Sequence, residues 1–400
     1  MSQPPPRALR SQPIAYGSRA RARARLLLTI AAWVVVSLSV IGLSTQWRKT
    51  LGKLEGPEAK GAGNLRLLVP EGMLGQPRWS PDGKLVAYVS FSRFARVSEG
   101  PEPHFMMITA TGGKRRDLGA FEGAHFPFEG RRFAWMPDSQ ELIYLYTEPA
   151  DDHVRGRSDT ATRAANRNGV RRPEGKLRVR TALIGDGRRT DLTSPARSGI
   201  TDETVPSDAY VAVSPARTEI ALLVWKRSGS AWDRHVAVVD LMSGAMRLVT
   251  DCAGDSGRMP ASFNELAWQG TRIYFVCENE GRRVPADPLP GQGTIAAREI
   301  WSVREDGTDL RQETSGPEDG YPAPRPAGRE LAFLRNGSIC LRDPKGQVRT
   351  VVRAADDGSE AYGRCEGPIS WSPDGKQLAF VWLGRRTGIP SIWVTRVPPP

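Results

Sequence analysis

Trp79-Ser80-Pro81-Asp82-Gly83-Lys84 leads into the apolar run Leu85-Val86-Ala87-Tyr88-Val89. Near the other end of the chain, Trp371-Ser372-Pro373-Asp374-Gly375-Lys376 leads into Gln377-Leu378-Ala379-Phe380-Val381. Each residue of the pattern has a mechanical reading. Pro presets φ for the first turn position, Asp bonds its own backbone, and Gly takes the left-handed conformation. Together they reverse the chain between two antiparallel strands. The Trp ahead of the turn is a large apolar wedge, and the Leu-x-Ala-aromatic run after it reads as a buried strand.

Four worn copies lie between the clear ones. Trp135-Met136-Pro137-Asp138-Ser139 precedes Leu142-Ile143-Tyr144, and Val213-Ser214-Pro215 precedes Ile220-Ala221-Leu222. Trp268-Gln269-Gly270 precedes Ile273-Tyr274-Phe275 at a shorter distance, and Pro324-Arg325-Pro326 precedes Leu331-Ala332-Phe333. Measured at the Pro position, with Gly270 standing for it in the fourth copy, the steps are 56, 78, 55, 56 and 47 residues. A near-regular period of this size points to a repeat architecture. Most copies are followed by a second hairpin, as at Ile300–Gly307 and His235–Gly244. Four strands in each of six units predict an all-β, six-bladed β-propeller. A β-sandwich would need the recurring turns to be accidental. The final unit lacks a fourth strand, and Leu65-Arg66-Leu67-Leu68-Val69 is expected to supply it, so that no blade is left with an open edge.

The copies of Trp-Ser-Pro-Asp-Gly-Lys resemble the WD-like repeats of the TolB propeller family, over about residues 65–397. That resemblance implies an extracytoplasmic, periplasmic protein that binds other proteins of the cell envelope, a peptidoglycan-associated lipoprotein among them. The chain departs from the family in having no room for the small α/β domain that precedes the TolB propeller. A long apolar segment behind a basic tail stands in its place.

That segment, Leu26–Leu43, is an uncharged run of eighteen residues, followed by Gln46-Trp47-Arg48-Lys49. It predicts a transmembrane helix at 26–46, with Trp and basic residues at its end. The competing reading is a cleaved signal peptide, for which Leu43-Ser44-Thr45 is a poor cleavage site. Residues 1–25 hold six Arg and no acid and read as a disordered cytoplasmic tail; residues 47–64 read as a flexible tether. The expected localisation is therefore the inner (cytoplasmic) membrane, single-pass, with the propeller outside the cytoplasm.

The formal net charge of +12 resolves into +6 in residues 1–25 and +5 in residues 151–180, leaving +1 elsewhere. These totals predict no basic face on the propeller and no nucleic-acid partner. The 78-residue step contains an insertion near 148–176, rich in Arg and poor in apolar residues, which reads as a disordered surface loop. Its charge would suit an acidic partner, anionic lipid or a cell-wall polymer.

Candidate chemistry is thin. Gly254-Asp255-Ser256-Gly257 matches the surroundings of a serine nucleophile, but nothing nearby supplies a triad. His104, His125, His153 and His235 are not at metal-ligand spacing. Asn336-Gly337-Ser338 fits a glycosylation pattern and equally a hairpin turn. Asp356-Asp357-Gly358 lacks the spaced ligands of a calcium loop. Cys252, Cys277, Cys340 and Cys365 allow three pairings, and isolated thiols stand beside one or two disulfides as the alternatives.

No catalytic, metal or cofactor residue is therefore expected. The repeat-motif residues (Trp79, Pro81, Asp82, Gly83, Trp135, Pro137, Asp138, Pro215, Trp268, Pro326, Trp371, Pro373, Asp374 and Gly375) are read as structural. The expected function is a membrane-anchored interaction scaffold with a protein or cell-wall partner, not an enzyme. The alternatives are a channel-based hydrolase or lyase acting on a sugar or peptide, and the sensor part of a signalling system.

Overall fold

The computed structural model describes residues 56–57, 63–70, 72, 74–91, 103–120, 133–149, 175–184, 189–191, 204–206, 211–216, 218–228, 231–250, 258–260, 266–285, 294–326, 328–355, 363–385 and 387–398. The tail at 1–25, the expected membrane helix at 26–46, nearly all of the tether and most of the insertion lie outside these residues. Among the described residues no helix is long and apolar enough to cross a membrane.

The strands fall into six antiparallel sheets. The first described strand is β1 (Gly63–Val69), starting two residues ahead of the expected Leu65. The first sheet follows as β2 (Leu74–Trp79), β3 (Leu85–Phe91), β4 (Pro103–Thr109) and β5 (Arg116–Ala120). The second contains β6 (Phe133–Trp135), β7 (Glu141–Pro149), β8 (Gly175–Leu183) and β9 (Arg189–Asp191). In the third, β10 (Thr204–Pro206) and β11 (Ala212–Val213) share the partner β12 (Glu219–Ser228). Its outer strands are β13 (Ala231–Asp240) and β14 (Met246–Thr250).

The fourth sheet is built likewise. There β15 (Arg258–Pro260) and β16 (Ala267–Gln269) both pair with β17 (Arg272–Pro285), ahead of β18 (Thr294–Arg304) and β19 (Arg311–Gln312). The fifth has β20 (Asp319–Pro324), β21 (Leu331–Arg335), β22 (Ser338–Arg342) and β23 (Val348–Val352). The sixth has β24 (Arg364–Trp371), β25 (Gln377–Leu383) and β26 (Pro390–Arg396). The expected closing strand is in place: β1 completes the sixth sheet, pairing Gly63 with Arg396 and Val69 with Ile392.

The lead strands touch one another in a cycle. β2 meets β6, β6 meets β11, β11 meets β16, β16 meets β20, β20 meets β24, and β24 meets β2. This all-β propeller places its core between sheets, where each sheet has an apolar face to bury. Six apolar clusters form, one at each junction. The first-to-second junction buries Ala87 and Phe105 with Phe133, Trp135 and Tyr144, and Phe105 meets Phe133 edge to face at 5.3 Å. Ile143 packs with Ile220 and Leu222; Val236 and Leu223 pack with Ile273 and Phe275. Val276 and Ile300 meet Phe333, Leu334 meets Trp371 and Phe380, and Val381 and Ile392 meet Trp79 and Val86.

The insertion falls between β7 and β8, and its residues 150–174 lie outside the described ones. β7 and β8 pair without a break to Pro149 and Gly175. The shortened fourth copy is also explained, since Gly270-Thr271 alone links β16 to β17, with Gly270 at φ 56°.

Candidate functional face

The Ser-Pro-Asp-Gly turns sit at one end of the sheets and are locked internally. Ser80 N–H donates to Leu85 O at 2.9 Å, while Leu85 N–H donates to Ser80 Oγ at 2.9 Å. The Ser80 hydroxyl donates to Asp82 Oδ1 at 2.6 Å, and Lys84 N–H reaches the same oxygen at 3.1 Å. Ser372, Asp374, Lys376 and Gln377 repeat the arrangement, with the hydroxyl–carboxylate bond again 2.6 Å. The hydroxyls of Ser80 and Ser372 hold the Asp82 and Asp374 carboxyls below the ordinary carboxylate pKa, against the opposing effect of burial.

The worn copies keep parts of this clasp. Ser214 Oγ accepts from Glu219 N–H at 3.1 Å, and Asp138 accepts from Gln140 N–H at 2.9 Å. In the fifth copy the two clasp positions carry Arg325 and Glu330, which form a buried ion pair instead.

The turns are also bonded to each other across sheets. Trp135 donates its indole N–H to Arg78 O at 3.0 Å, and Trp371 donates to Ala323 O at 2.9 Å. Each accepting carbonyl is one residue ahead of the Trp position in the preceding sheet. Trp79 N–H bonds Ser370 Oγ at 3.0 Å, and Asp82 N–H bonds Ser139 Oγ at 2.9 Å. Arg325 lies over Trp371 at 4.9 Å and donates to Gly375 O at 2.7 Å, while Gln269 donates to Arg325 O at 2.6 Å. A Cβ added at Gly375 would come within 2.8 Å of Pro326 O, and one at Gly83 within 3.1 Å of Pro373 Cγ. Two indoles depart from this pattern: Trp268 donates within its own turn to Gly270 O at 3.2 Å, and the buried Trp79 indole N–H has no hydrogen-bond partner among the described residues. Pro81 and Pro215 face solvent and Pro137 is half-buried. The motif residues thus hold sheet to sheet at this end.

The opposite ends of the lead strands are irregular. β2 slips register between Gly75 and Arg78, β20 between Gly320 and Ala323, and β24 between Glu366 and Ser370. Gln76 (φ 57°), Tyr321 (φ 54°) and Gly367 (φ 69°) occupy the slips in the left-handed region. Two of the three are non-glycine residues, for which that conformation costs about 1–2 kcal/mol. Pro77, Pro322 and Pro368 follow directly; with no N–H to donate, they suit a bulge. In the third and fourth sheets two described strands stand where the other sheets have one lead strand, β10 with β11 and β15 with β16. Bulges re-aim side chains and release backbone from the ladder. Three successive sheets (the fifth, sixth and first) do so with a left-handed residue.

Beside the bulge of β20, ion pairs fix the frame. The Asp319 carboxylate, fully buried, accepts from Arg335 at 2.6 and 2.8 Å and from Gly316 N–H at 3.0 Å. Arg335 lies over Phe333 at 5.1 Å. Arg282 approaches Glu299 at 3.5 Å, Arg298 approaches Glu318 at 4.0 Å, and Arg234 bonds Glu278 at 2.9 Å from the neighbouring sheet. These charges are paired with one another, which makes a stiff rim.

The remaining candidates are dispersed. His104 bonds Asp117 at 2.9 Å in the first sheet, while His235 lies on β13 in the third. His125, His153, Gly254–Gly257 and Asp356–Gly358 lie outside the described residues. Among the described residues no group of three or more His, Cys, Asp or Glu could hold a metal ion. Asn336 and Gly337 (φ 48° and 68°) form a two-residue hairpin turn between β21 and β22. Cys277 is disulfide-bonded, whereas Cys340 and Cys365 are free, so the pairing uses neither of them. Burial pushes both free thiols above their ordinary pKa, which leaves them poor nucleophiles.

No family model and no curated protein matches the sequence. Among solved structures, a TolB-type protein from Agrobacterium tumefaciens aligns over 84% of this chain and 99% of its own, at 16% identity and TM-score 0.46. A gluconolactonase from Xanthomonas campestris aligns over 86% and 95%, at 12% identity and TM-score 0.49. An oligogalacturonate lyase from Vibrio parahaemolyticus aligns over 86% and 97%, at 11% identity and TM-score 0.44. At such identities no activity passes from them to this chain.

Proposed function

We propose that the six sheets are the six blades of one closed, TolB-like ring, anchored by the 26–46 segment and held outside the cytoplasm. The protein acts as an interaction scaffold for an envelope protein or cell-wall partner. The partner is taken at the end of the ring where the lead strands bulge. The observation that carries this reading is the unequal treatment of the two ends. At one end, Trp135 and Trp371 bond the preceding sheet through their indoles and Trp79 through its backbone N–H, while Trp268 bonds within its own turn. At the other, the lead strands themselves slip register, with left-handed Gln76 and Tyr321 inside the strands, whereas at the motif-turn end Ser139 takes that conformation in a turn. Strain of this kind persists where a site needs it.

The test is site-specific photocrosslinking of the full chain in its own envelope. A photoreactive residue at Gln76 or Tyr321 is expected to yield a discrete adduct, and one at Lys84 or Lys376 no adduct with that partner. Adducts from the motif-turn positions alone would overturn the reading. Turnover of an oligosaccharide or peptide by the purified chain, abolished by changes at Tyr321, would replace it with the enzyme alternative.

A further inference from the structure

Two residues of the expected tether, Gly56 and Pro57, are seated on the sixth sheet. Gly56 lies against the six-membered ring of Trp393, where an added Cβ would stand 2.9 Å from Cη2 and 3.4 Å from Cζ2, and Pro57 is buried. Close approach therefore selects glycine at position 56, since any side chain would push the segment off the indole. Residues 58–62 separate the pair from Gly63, the first residue of β1.

The indole takes its orientation from its own sheet. Trp393 Nε1–H donates to Ser391 Oγ at 2.9 Å, and the Ser391 hydroxyl donates to Trp382 O at 3.2 Å. Ser391 and Trp382 are both buried, and they are paired across β25 and β26. Trp393 packs on the apolar cluster between the fifth and sixth sheets, and its cross-strand neighbours are the buried Phe380 on β25 and Leu67 on β1. Leu67 is 43% exposed, one of four large apolar side chains so open among the described residues. The result is an aromatic plate with an apolar shoulder, covered in part by the chain's own Gly-Pro pair.

We infer that Trp393 and Leu67 form a docking site for an extended Gly-Pro segment of a partner protein, a site that Gly56 and Pro57 fill in cis. The resident pair states the chemistry of the ligand. A residue without Cβ lets the backbone reach the ring, and the proline after it brings an apolar ring and no N–H to satisfy. Aromatic surfaces take up extended, proline-bearing segments in this way. The resident is also held lightly. Among the described residues neither Gly56 nor Pro57 makes a hydrogen bond, so lifting them leaves no buried polar group unpaired. With the indole fixed by Ser391, the vacated site keeps its shape for an incoming segment. Leu67 offers that segment more apolar surface than the resident covers. The site is on β26 and β1, not on a lead strand, so it stands apart from the bulged rim and does not rest on the reading above. Its occupancy in cis makes partner binding conditional, because a resident tied so closely to β1 competes at an effective concentration on the order of millimolar.

The test is fluorescence anisotropy of a labelled peptide copying Leu51–Lys60, titrated with the full chain in detergent and with its Gly56→Val variant. Valine expels the resident segment, so the variant is expected to bind the peptide at least about tenfold more tightly than the unaltered chain. Adding Trp393→Ala to the variant should abolish that binding, and a peptide carrying alanine in place of both Gly56 and Pro57 should bind neither chain. Should Gly56→Val not fold, Pro57→Ser loosens the same contact and is expected to act in the same direction. Equal binding by the opened and unaltered chains, or binding by neither, would overturn the inference. So would uptake of both peptides alike, or tight binding that survives Trp393→Ala. A concentration-dependent dimer of the unaltered chain, dissolved by the peptide, would assign the site to a second copy of this chain and remove the partner protein.

Discussion

The two ends of the propeller are built from the same strands and obey different rules. At the motif-turn end, a serine clasp repeats in nearly the same geometry in the first and sixth sheets, 292 residues apart at Ser80 and Ser372, and adjacent turns bond one another. At the other end, the lead strands of the fifth, sixth and first sheets slip register, and the third and fourth sheets have two described strands where the others have one. One end spends its residues on holding the ring; the other gives up ladder bonds to shape a rim. Interaction sites are expected where regularity has been given up and the neighbouring frame is stiff.

The largest test of this contrast is Glu330→Ala. It leaves the Arg325 guanidinium buried with only Gly375 O as a described acceptor, and it should cost about 3–5 kcal/mol in denaturant unfolding. A loss below about 1 kcal/mol would mean that the motif-turn end is not the stabilising one. Gly375→Ala comes next. At φ 65°, and with the new Cβ 2.8 Å from Pro326 O, it should lose about 1–3 kcal/mol. Gln76→Gly should go the other way. Releasing a left-handed non-glycine residue is expected to leave stability unchanged or raise it by up to about 1 kcal/mol, while partner crosslinking at Tyr321 falls. A destabilised Gln76→Gly chain would break the distinction between the ends.

The smallest effect concerns acid. The Asp82 and Asp374 pKa values are lowered by folding, so the stability they contribute is fully present above the ordinary carboxylate pKa and disappears as pH falls through the lowered values. Both carboxylates are substantially exposed, so the contribution is modest. Thermal midpoints of Asp82→Asn with Asp374→Asn should therefore show a shallower decline between neutral pH and pH 3 than the unaltered chain.

The motif-turn end was legible because its determinants are local. Pro81, Asp82 and Gly83 act within one turn, and the Leu-x-Ala-aromatic runs report burial without reference to any partner. The closing strand could be inferred by counting, since the sixth sheet lacked one. What sequence could not give was register between sheets. The Trp135–Arg78 and Trp371–Ala323 bonds join residues 57 and 48 positions apart. The Arg325–Glu330 pair has the spacing of the serine clasp it replaces, yet nothing local says that both side chains are buried. The bulges do carry a signal in the sequence. Pro77, Pro322 and Pro368 sit just ahead of the wedge position, and a proline inside a strand run marks an edge or a bulge.

The pairing of β1 with β26 has a consequence for how the chain acquires its structure. Gly63 and Arg396 are 333 positions apart, so the strand made first cannot find its place until the strand made last exists. Contacts of such separation are slow to form. Through synthesis, β1 and the growing edge of each sheet would wait with unpaired backbone, the state most open to wrong pairing. Ring closure is then the natural last event of folding, and the seam between β1 and β26 the natural first place for it to come undone.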